Sequence, residues 1–167
     1  MKATTSIIYI TLSLAAAGTS AFSGSITKNV AVPGLKNGMD YCKLGTSDLE
    51  VSKVCMGTMT FGEQNTLEEG VEQLNLAFDQ YGINFIDTAE LYPVPGKPDT
   101  QGMTDKTVAA FLKGRKARED VVLATKVCGY SDRMTWMPRE KPDTPTSLTK
   151  DQILYSVDAS LKRLGTD

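Results

Sequence analysis

The chain has 167 residues, 41% of them hydrophobic, which is enough apolar material for one folded domain and excludes a disordered chain. Residues 1–39 carry three lysines and no acid, whereas residues 40–167 carry 15 basic against 20 acidic residues. This mildly acidic body contains no basic block, which argues against a nucleic-acid partner.

The first 39 residues have the composition of a targeting segment. Lys2 precedes an apolar stretch at 7–17, and small residues follow at 19–21, which is the layout of a cleavable signal peptide over residues 1–21. The apolar stretch is much shorter than the roughly 20 residues of a membrane-spanning helix. Residues 22–39 lack acids and are interrupted by glycine and proline, as in a transit peptide or linker. We expect neither segment to belong to the fold and no membrane association after processing.

The junction between these two segments, TSAF at 19–22, bears on localisation. It resembles the motif that separates signal from transit peptide in algae whose plastids arose by secondary endosymbiosis. The resemblance predicts delivery to a plastid, with the secretory pathway as the alternative.

The three cysteines are widely spaced, odd in number and without a C-x-x-C pair, so they indicate neither a disulfide framework nor a zinc site.

The organised body begins near residue 40. Two short alternating segments at 41–54 flank a turn-prone stretch and predict a β-hairpin. An apolar strand follows at 54–62, broken by Gly57 and Gly62. The next segment predicts a helix at 66–82, in which Thr66 and Glu69 form a capping box and Gly82 ends the helix.

The strand-helix pattern then repeats twice. INFID at 83–87 predicts a strand, and a loop from Tyr92 to Gly102 leads to a helix that we expect Thr104 to cap. DVVLATKV at 120–127 is nearly all apolar, as is typical of parallel strands covered by helices. After a polar loop at 129–147, a last helix ends at Gly165. Its sequence predicts a second capping box, Thr149 with Gln152, and an apolar face made of Ile153, Val157, Leu161 and Leu164.

Three successive strand-helix units imply right-handed parallel crossovers, in either an open doubly wound sheet or a barrel. Periodicity leaves this choice open. Asp87 and Lys126 both stand at the C-terminal ends of predicted strands, where both folds place their sites. If these strands are neighbours, their axes lie about 4.8 Å apart and the two charges could meet.

Asp87, Tyr92 and Lys126 together form a candidate acid-base group. A lysine beside a tyrosine favours the phenolate form, and an aspartate orients and partly neutralises the lysine. Such a phenol can hand its proton to a carbonyl oxygen as the carbonyl carbon accepts hydride. Each residue also has a structural alternative, because a strand-end aspartate can cap a turn, a lysine can reach solvent and a loop tyrosine can simply pack.

Four segments resemble the aldo-keto reductases: MGTMTFG at 56–62, FIDTAELY at 85–92, ATK at 124–126 and SLKRLGTD at 160–167. The insertion at 91–104 is similar to the Tas-like branch of that family. The resemblance covers residues 41–167 and implies an α/β fold, the N-terminal part of a (β/α)8 TIM barrel, with an opening β-hairpin at the barrel's bottom and the first three βα units. It also implies a nicotinamide cofactor, usually NADPH, and a small-molecule carbonyl substrate.

Carried over residue by residue, the resemblance makes Tyr92 the proton donor, Lys126 the lysine that tunes it and Asp87 the carboxylate paired with that lysine. The cofactor-bordering positions that it implies are Asp87 together with the first strand-loop residues Gly57, Thr58 and Met59.

The family's fourth catalytic residue is a histidine at the end of the fourth strand, and this chain contains no histidine. In the family that strand follows directly on the SLKRLGTD segment, so we expect 40–167 to be a partial domain, truncated before strand 4 and inactive alone. A barrel typically needs about 250 residues, twice the length of this segment. Two alternatives stay open: a noncatalytic regulatory or interaction module derived from the fold, and a lyase or aldolase with Lys126 as a Schiff base.

Overall fold

The computed structural model describes residues 38–115 and 118–167. The predicted signal peptide at 1–21, and the predicted transit peptide or linker at 22–39 except for its last two residues, lie outside the described residues. No helix in the described part of the chain is both long and apolar enough to cross a membrane.

The predicted β-hairpin is confirmed. Strands β1 (Tyr41–Lys43) and β2 (Glu50–Ser52) pair in antiparallel fashion. Asn84 joins this hairpin to the rest of the fold, because its side chain accepts the Ser52 N–H at 2.8 Å and donates to the Glu50 carbonyl at 3.0 Å. Since Asn84 directly precedes a strand of the main sheet, the hairpin lies at the N-terminal end of that sheet, as the resemblance implied.

The main sheet consists of three parallel strands in the order β3 (Cys55–Gly57), β4 (Phe85–Asp87) and β5 (Val122–Ala124). The register places Gly57, Asp87 and Ala124 in one row, at the C-terminal end of each strand. Helices lie between successive strands, which confirms the predicted strand-helix units. The strand that ends at Asp87, β4, is the central strand of the three.

Helix α1 (Leu67–Asn75) begins with the predicted capping box of Thr66 and Glu69. After Asn75 the chain continues as a π-helical turn at Leu76–Gln80, and Gly82 follows with φ of 70°. Helices α2 (Met103–Lys113) and α3 (Lys150–Leu164) complete the fold, and Gly165, with φ of 66°, ends α3 as predicted.

Two predicted helix caps are wrong. Helix α2 is capped by Gly102 at φ of 81°, and Thr104 lies inside the helix, where its hydroxyl donates to the Phe61 carbonyl at 2.7 Å. Thr149 does precede α3, but its side chain makes no capping hydrogen bond. The side-chain oxygen of Gln152 is instead occupied by the Ser147 N–H at 2.8 Å and by Arg139 Nε at 3.0 Å, so it holds the preceding loop.

The two faces of the main sheet differ in burial. Ile86 belongs to the apolar core between sheet and helices, and Met56 and Leu123 from the flanking strands pack against it. Because side chains alternate along a strand, the neighbouring positions 55, 85 and 122 point to the opposite face. There Cys55 is exposed, while Phe85 and Val122 are half-buried. Asp87 shares this more open face, so the candidate site lies away from the core that stabilises the helices.

Candidate active site

The three residues predicted to form an acid-base group lie together. Asp87 is the last residue of β4, and Lys126 follows β5 by two positions. The ammonium Nζ of Lys126 lies 2.5 Å from Asp87 Oδ2, and both side chains are mostly but not completely withdrawn from solvent. The predicted meeting of these two charges at the strand ends is confirmed.

Tyr92 completes the group from the loop after β4. Its hydroxyl lies 3.2 Å from Lys126 Nζ, and the same nitrogen is 4.8 Å from the centre of the Tyr92 ring. The third partner of Nζ is the Thr88 carbonyl, at 3.0 Å. An ammonium group has three hydrogens, so these partners use all of them and fix the direction in which the charge faces the phenol.

The backbone of the loop holds Tyr92 in place. The Tyr92 N–H donates to the Ala89 carbonyl at 3.0 Å, and the Tyr92 carbonyl accepts the N–H of Gly102 at 3.0 Å. Gly102 is required here for two reasons: its φ is 81°, and a Cβ at this position would stand 2.8 Å from Arg163 Cδ. The loop at 93–101 therefore leaves Tyr92 and returns beside it.

The three residues of the first strand-loop differ in what they can offer a ligand. Thr58 is completely buried and is occupied within the protein, because its N–H and hydroxyl both donate to the Asp87 carbonyl. Gly57 has open space where a side chain would stand, and Met59 is 47% exposed. Gly57 and Met59 are thus available to border a bound molecule beside Asp87, whereas Thr58 supports the aspartate from behind.

One buried ion pair beside the site was not predicted from the sequence. Glu90 and Arg139 are both buried, and Arg139 Nη2 lies 2.9 Å from Glu90 Oε1. The available signal was an acidic residue between Ala89 and Leu91 in the strand-end segment, but its partner lies 49 positions away in the loop after β5.

A second unpredicted cluster lies behind the strand end. Asp105 of α2 is completely buried, accepts the Thr88 hydroxyl at 2.9 Å and pairs with Arg163 Nε at 2.9 Å. Burial raises the pKa of Asp105 above its ordinary value, and the Arg163 guanidinium opposes that shift. Because the Thr88 carbonyl accepts from Lys126, this cluster fixes the backbone on which the lysine rests.

Two cysteines near the site have weakened acidity. Although Cys55 is exposed, the protein atoms beside its thiol desolvate it in part. The pKa of Cys55 is raised to about 11, first by this partial desolvation and further by the Asp87 carboxylate, with Lys126 acting in the opposite direction. Burial likewise raises the pKa of Cys128. Since the thiolate is the reactive form, neither residue has the properties of a nucleophile. Within the described ranges, no three histidine, cysteine or acidic residues are grouped so that they could hold a metal ion.

The arrangement can support proton donation from the phenol to a bound acceptor. When Tyr92 gives up its proton, the phenolate that remains faces the Lys126 ammonium, which stabilises the negative charge. Asp87 keeps that ammonium in place and limits the net charge of the group. This geometry is compatible with proton transfer from Tyr92 to an acceptor oxygen.

Several known proteins are similar to this chain in sequence. Protein tas of Escherichia coli strain K12 is 44% identical over 129 residues, which are 77% of this chain and 36% of that protein. The uncharacterized oxidoreductase YrpG of Bacillus subtilis is 37% identical over 131 residues, covering 77% of this chain and 37% of YrpG. The chain thus spans little more than a third of the length of these relatives.

Solved structures agree with the sequence relatives. The holo form of aldo-keto reductase AKR11C1 from Bacillus halodurans superposes with a TM-score of 0.58 at 34% identity, over 77% of this chain and 37% of that one. The model of the aldo/keto reductase family matches residues 53–167, which include all of the acid-base group and the first strand-loop. The chain belongs to the aldo/keto reductase family, and its fold is the N-terminal part of that family's barrel.

Proposed function

We propose that the full-length protein is an NADPH-dependent oxidoreductase that reduces aldehyde or ketone carbonyls by hydride transfer, with Tyr92 as proton donor. The observation that carries this proposal is the position of Lys126 Nζ, within hydrogen-bonding distance of both Asp87 and the Tyr92 hydroxyl. The family's oxidoreductase members supply the reaction class. The preference for NADPH over NADH comes from the family resemblance.

The proposed roles follow from the contacts. A bound nicotinamide cofactor would supply the hydride to the carbonyl carbon. The Tyr92 phenol gives its proton to the carbonyl oxygen, so that the product is an alcohol, and the phenolate takes a proton back from solvent. Lys126 stabilises the phenolate in the interval, and Asp87 holds the lysine against Thr88 and Tyr92.

We propose that the cofactor binds at the open side of the first strand-loop. Gly57 leaves space beside Asp87, and the exposed side chain of Met59 borders the same region. We propose that Gly57, Met59 and Asp87 border the nicotinamide end of the cofactor. Thr58 contributes indirectly through its two hydrogen bonds to the Asp87 backbone.

Residues 40–167 are proposed to be inactive without the remainder of a barrel. The sheet face that carries Asp87 is only half-covered, with Cys55 exposed and Phe85 and Val122 half-buried. Hydride transfer requires a site from which water is excluded, and this open face does not provide one. The comparison of the isolated segment with the protein made from its complete coding sequence tests this point directly.

The test of the proposed function is an assay of NADPH oxidation by the protein made from its complete coding sequence, with a panel of aliphatic and aromatic aldehydes and ketones. Tyr92→Phe should lower kcat by at least about 100-fold, because a general acid typically contributes 10²–10⁴-fold. The matched control is Tyr81→Phe, a change at an exposed tyrosine between α1 and β4. Equal activity of the two variants would contradict the assignment of Tyr92.

We further propose delivery to a plastid through residues 1–39, and this rests on the sequence of that segment. A fluorescent protein fused behind residues 1–39 should accumulate in plastids of an alga with a secondary plastid. Export to the medium would favour the secretory alternative.

A further inference from the structure

The buried ion pair of Glu90 and Arg139 has no part in the proposed proton and hydride transfers. The side chain of Glu90 is only 3% exposed and that of Arg139 only 2%. The two groups meet through the two terminal nitrogens of the guanidinium, with Nη2 2.9 Å from Oε1 and Nη1 3.3 Å from Oε2. Removing two charges from water is costly, and an apolar pair of similar size is often at least as stable. The contacts around the pair indicate what it does.

Glu90 makes two hydrogen bonds to the segment that carries Lys126. Its N–H donates to the Lys126 carbonyl at 3.2 Å, and its Oε1 accepts the Cys128 N–H at 2.6 Å. The Thr88 N–H donates to the Ala124 carbonyl at 2.9 Å, so the bond from Glu90 continues the parallel pairing of β4 and β5 beyond the ends of both strands. Tyr92 follows Glu90 by two residues. The two strand extensions that carry Lys126 and Tyr92 are therefore joined through Glu90.

Arg139 connects this junction to helix α3. Its Nη1 donates to the Pro138 carbonyl at 2.7 Å, and its Nε donates to Gln152 Oε1 at 3.0 Å. Gln152 lies in the first turn of α3. The guanidinium therefore ties the loop after β5 to the junction at one end and to a helix at the other.

We propose that Glu90 and Arg139 are positioning residues for the proposed reduction: by holding the Lys126–Cys128 segment against Glu90, they set the separation of Lys126 Nζ and the Tyr92 hydroxyl. The inference rests on the proposed function, and neither residue touches the reacting atoms. A carboxylate suits the position because one oxygen accepts a backbone N–H while both face the guanidinium. An apolar pair could not make the bond to Cys128.

Three variants of the full-length protein separate positioning from mere stability. Arg139→Met removes the guanidinium and leaves an uncompensated buried carboxylate, which we expect to turn towards water and release the Cys128 N–H. The double variant Glu90→Gln with Arg139→Met removes both charges and retains an oxygen for Cys128. The control is Arg115→Met, which breaks another ion pair, with Asp79, at a mostly buried arginine on the helix side of the fold.

Arg139→Met should lower kcat for carbonyl reduction by on the order of 10- to 100-fold, because a small misplacement of a catalytic group has an effect of this size. The KM for the carbonyl should change little, and the pH dependence of kcat should change because the lysine no longer faces the phenol. The double variant should recover part of the lost kcat. Arg115→Met should reduce stability while leaving kcat within about twofold of the original.

Crystal structures of the same full-length variants give a readout that does not depend on activity. In Arg139→Met, the Lys126 Nζ and the Tyr92 hydroxyl should separate beyond hydrogen-bonding distance. A folded Arg139→Met protein that keeps this contact, its kcat and its pH profile would overturn the inference. If Arg139→Met does not fold, Arg139→Lys takes its place, because lysine keeps the charge but cannot bridge both carboxylate oxygens and Gln152. If the unmodified protein reduces no carbonyl compound, the proposed function fails, and the Lys126–Tyr92 distance still decides whether the pair positions these residues.

Discussion

Thr58 binds the carbonyl oxygen of Asp87 twice, through its N–H at 3.1 Å and through its hydroxyl at 2.8 Å. Thr58 itself is completely buried. The first strand-loop and the strand that carries the aspartate are thus joined at the point where the candidate active site begins.

Replacement of Thr58 by valine should therefore destabilise the protein. The change keeps the shape of the side chain and removes the hydroxyl donor, so the free energy of unfolding should fall by about 1 kcal/mol. Denaturant titration of the full-length protein measures this loss. Thr58→Ser retains the hydroxyl but removes a completely buried methyl group, so it measures the packing contribution of the side chain separately. If the valine variant is as stable as the unmodified protein, the hydroxyl bond does not contribute to stability.

Replacement of Lys126 by methionine should change the pH dependence of reduction as well as its rate. The ammonium that faces the Tyr92 hydroxyl is lost, so the phenolate formed on proton transfer has no adjacent positive charge. The measurement is kcat/KM over roughly pH 6 to 10. Lys162→Met, at an exposed lysine of α3, should leave the profile as it was. A Lys126→Met profile that superposes on that of the unmodified protein would make the lysine structural only.

Cys55 reports on the charge of Asp87. Its pKa of about 11 is raised first by partial desolvation of the thiol and second by the Asp87 carboxylate, so Asp87→Asn removes one of the two causes. Iodoacetamide should then alkylate Cys55 at least about threefold faster near pH 8, since the rate follows the thiolate fraction. Peptide mapping by mass spectrometry measures each cysteine separately, and exposed Cys42 serves as the internal control. A slower or unchanged rate at Cys55 would argue against this electrostatic contact.

Asp105 should make the native state less stable as the pH rises above 3.8, the ordinary pKa of its carboxyl group. Its pKa is raised on folding, so the native state binds the proton more tightly than the unfolded state, and stability is lost as the pH rises from the ordinary value of 3.8 through the raised native pKa. Asp105→Asn removes this dependence. The difference in unfolding free energy between the two proteins, measured by denaturant titration at several pH values, should shift in favour of the asparagine variant as the pH increases. A difference that stays constant with pH would contradict the assignment.

The strands and the acid-base group were predictable because their signals are local. Asp87 ends a short apolar run, and the rule that parallel strands share one carboxyl edge places it beside Lys126 provided that the two strands are neighbours, as they are. The capping box of Thr66 and Glu69 was likewise confirmed, since both members lie within one turn and no other partner competes for them.

The failures have a common physical origin in contacts between distant residues. The pattern of Thr149 and Gln152 fits a capping box, but Gln152 is engaged by Arg139 and Ser147 from the preceding loop. The burial of Glu90 depends on an arginine that periodicity cannot locate.

Helix α3 shows the same limit at the level of a whole face. Its sequence predicts one apolar face made of Ile153, Val157, Leu161 and Leu164. Of these only Leu164 is fully buried, and the other fully buried residues of the helix are Ser156 and Ser160. Packing against α2 selects a side of the helix with small polar residues, and Ser160 accepts a hydrogen bond from Arg163 there. Which side a helix presents to its neighbour depends on tertiary packing as well as on hydrophobic periodicity.

Because the chain returns from Tyr92 to Gly102, the loop between them can change in sequence and length with little effect on the residues at its ends. Because the Gly102 N–H closes onto the Tyr92 carbonyl, the segment at 93–101 begins and ends at the same place, and the entropy of closing such a loop depends only weakly on its length. Gly96 packs within this segment close to Leu91 and Trp136. The Val94 N–H donates to the Met59 carbonyl at 2.9 Å, so the loop also lies against the first strand-loop. A segment of this kind can be exchanged as a unit while Tyr92 and the start of α2 stay where they are.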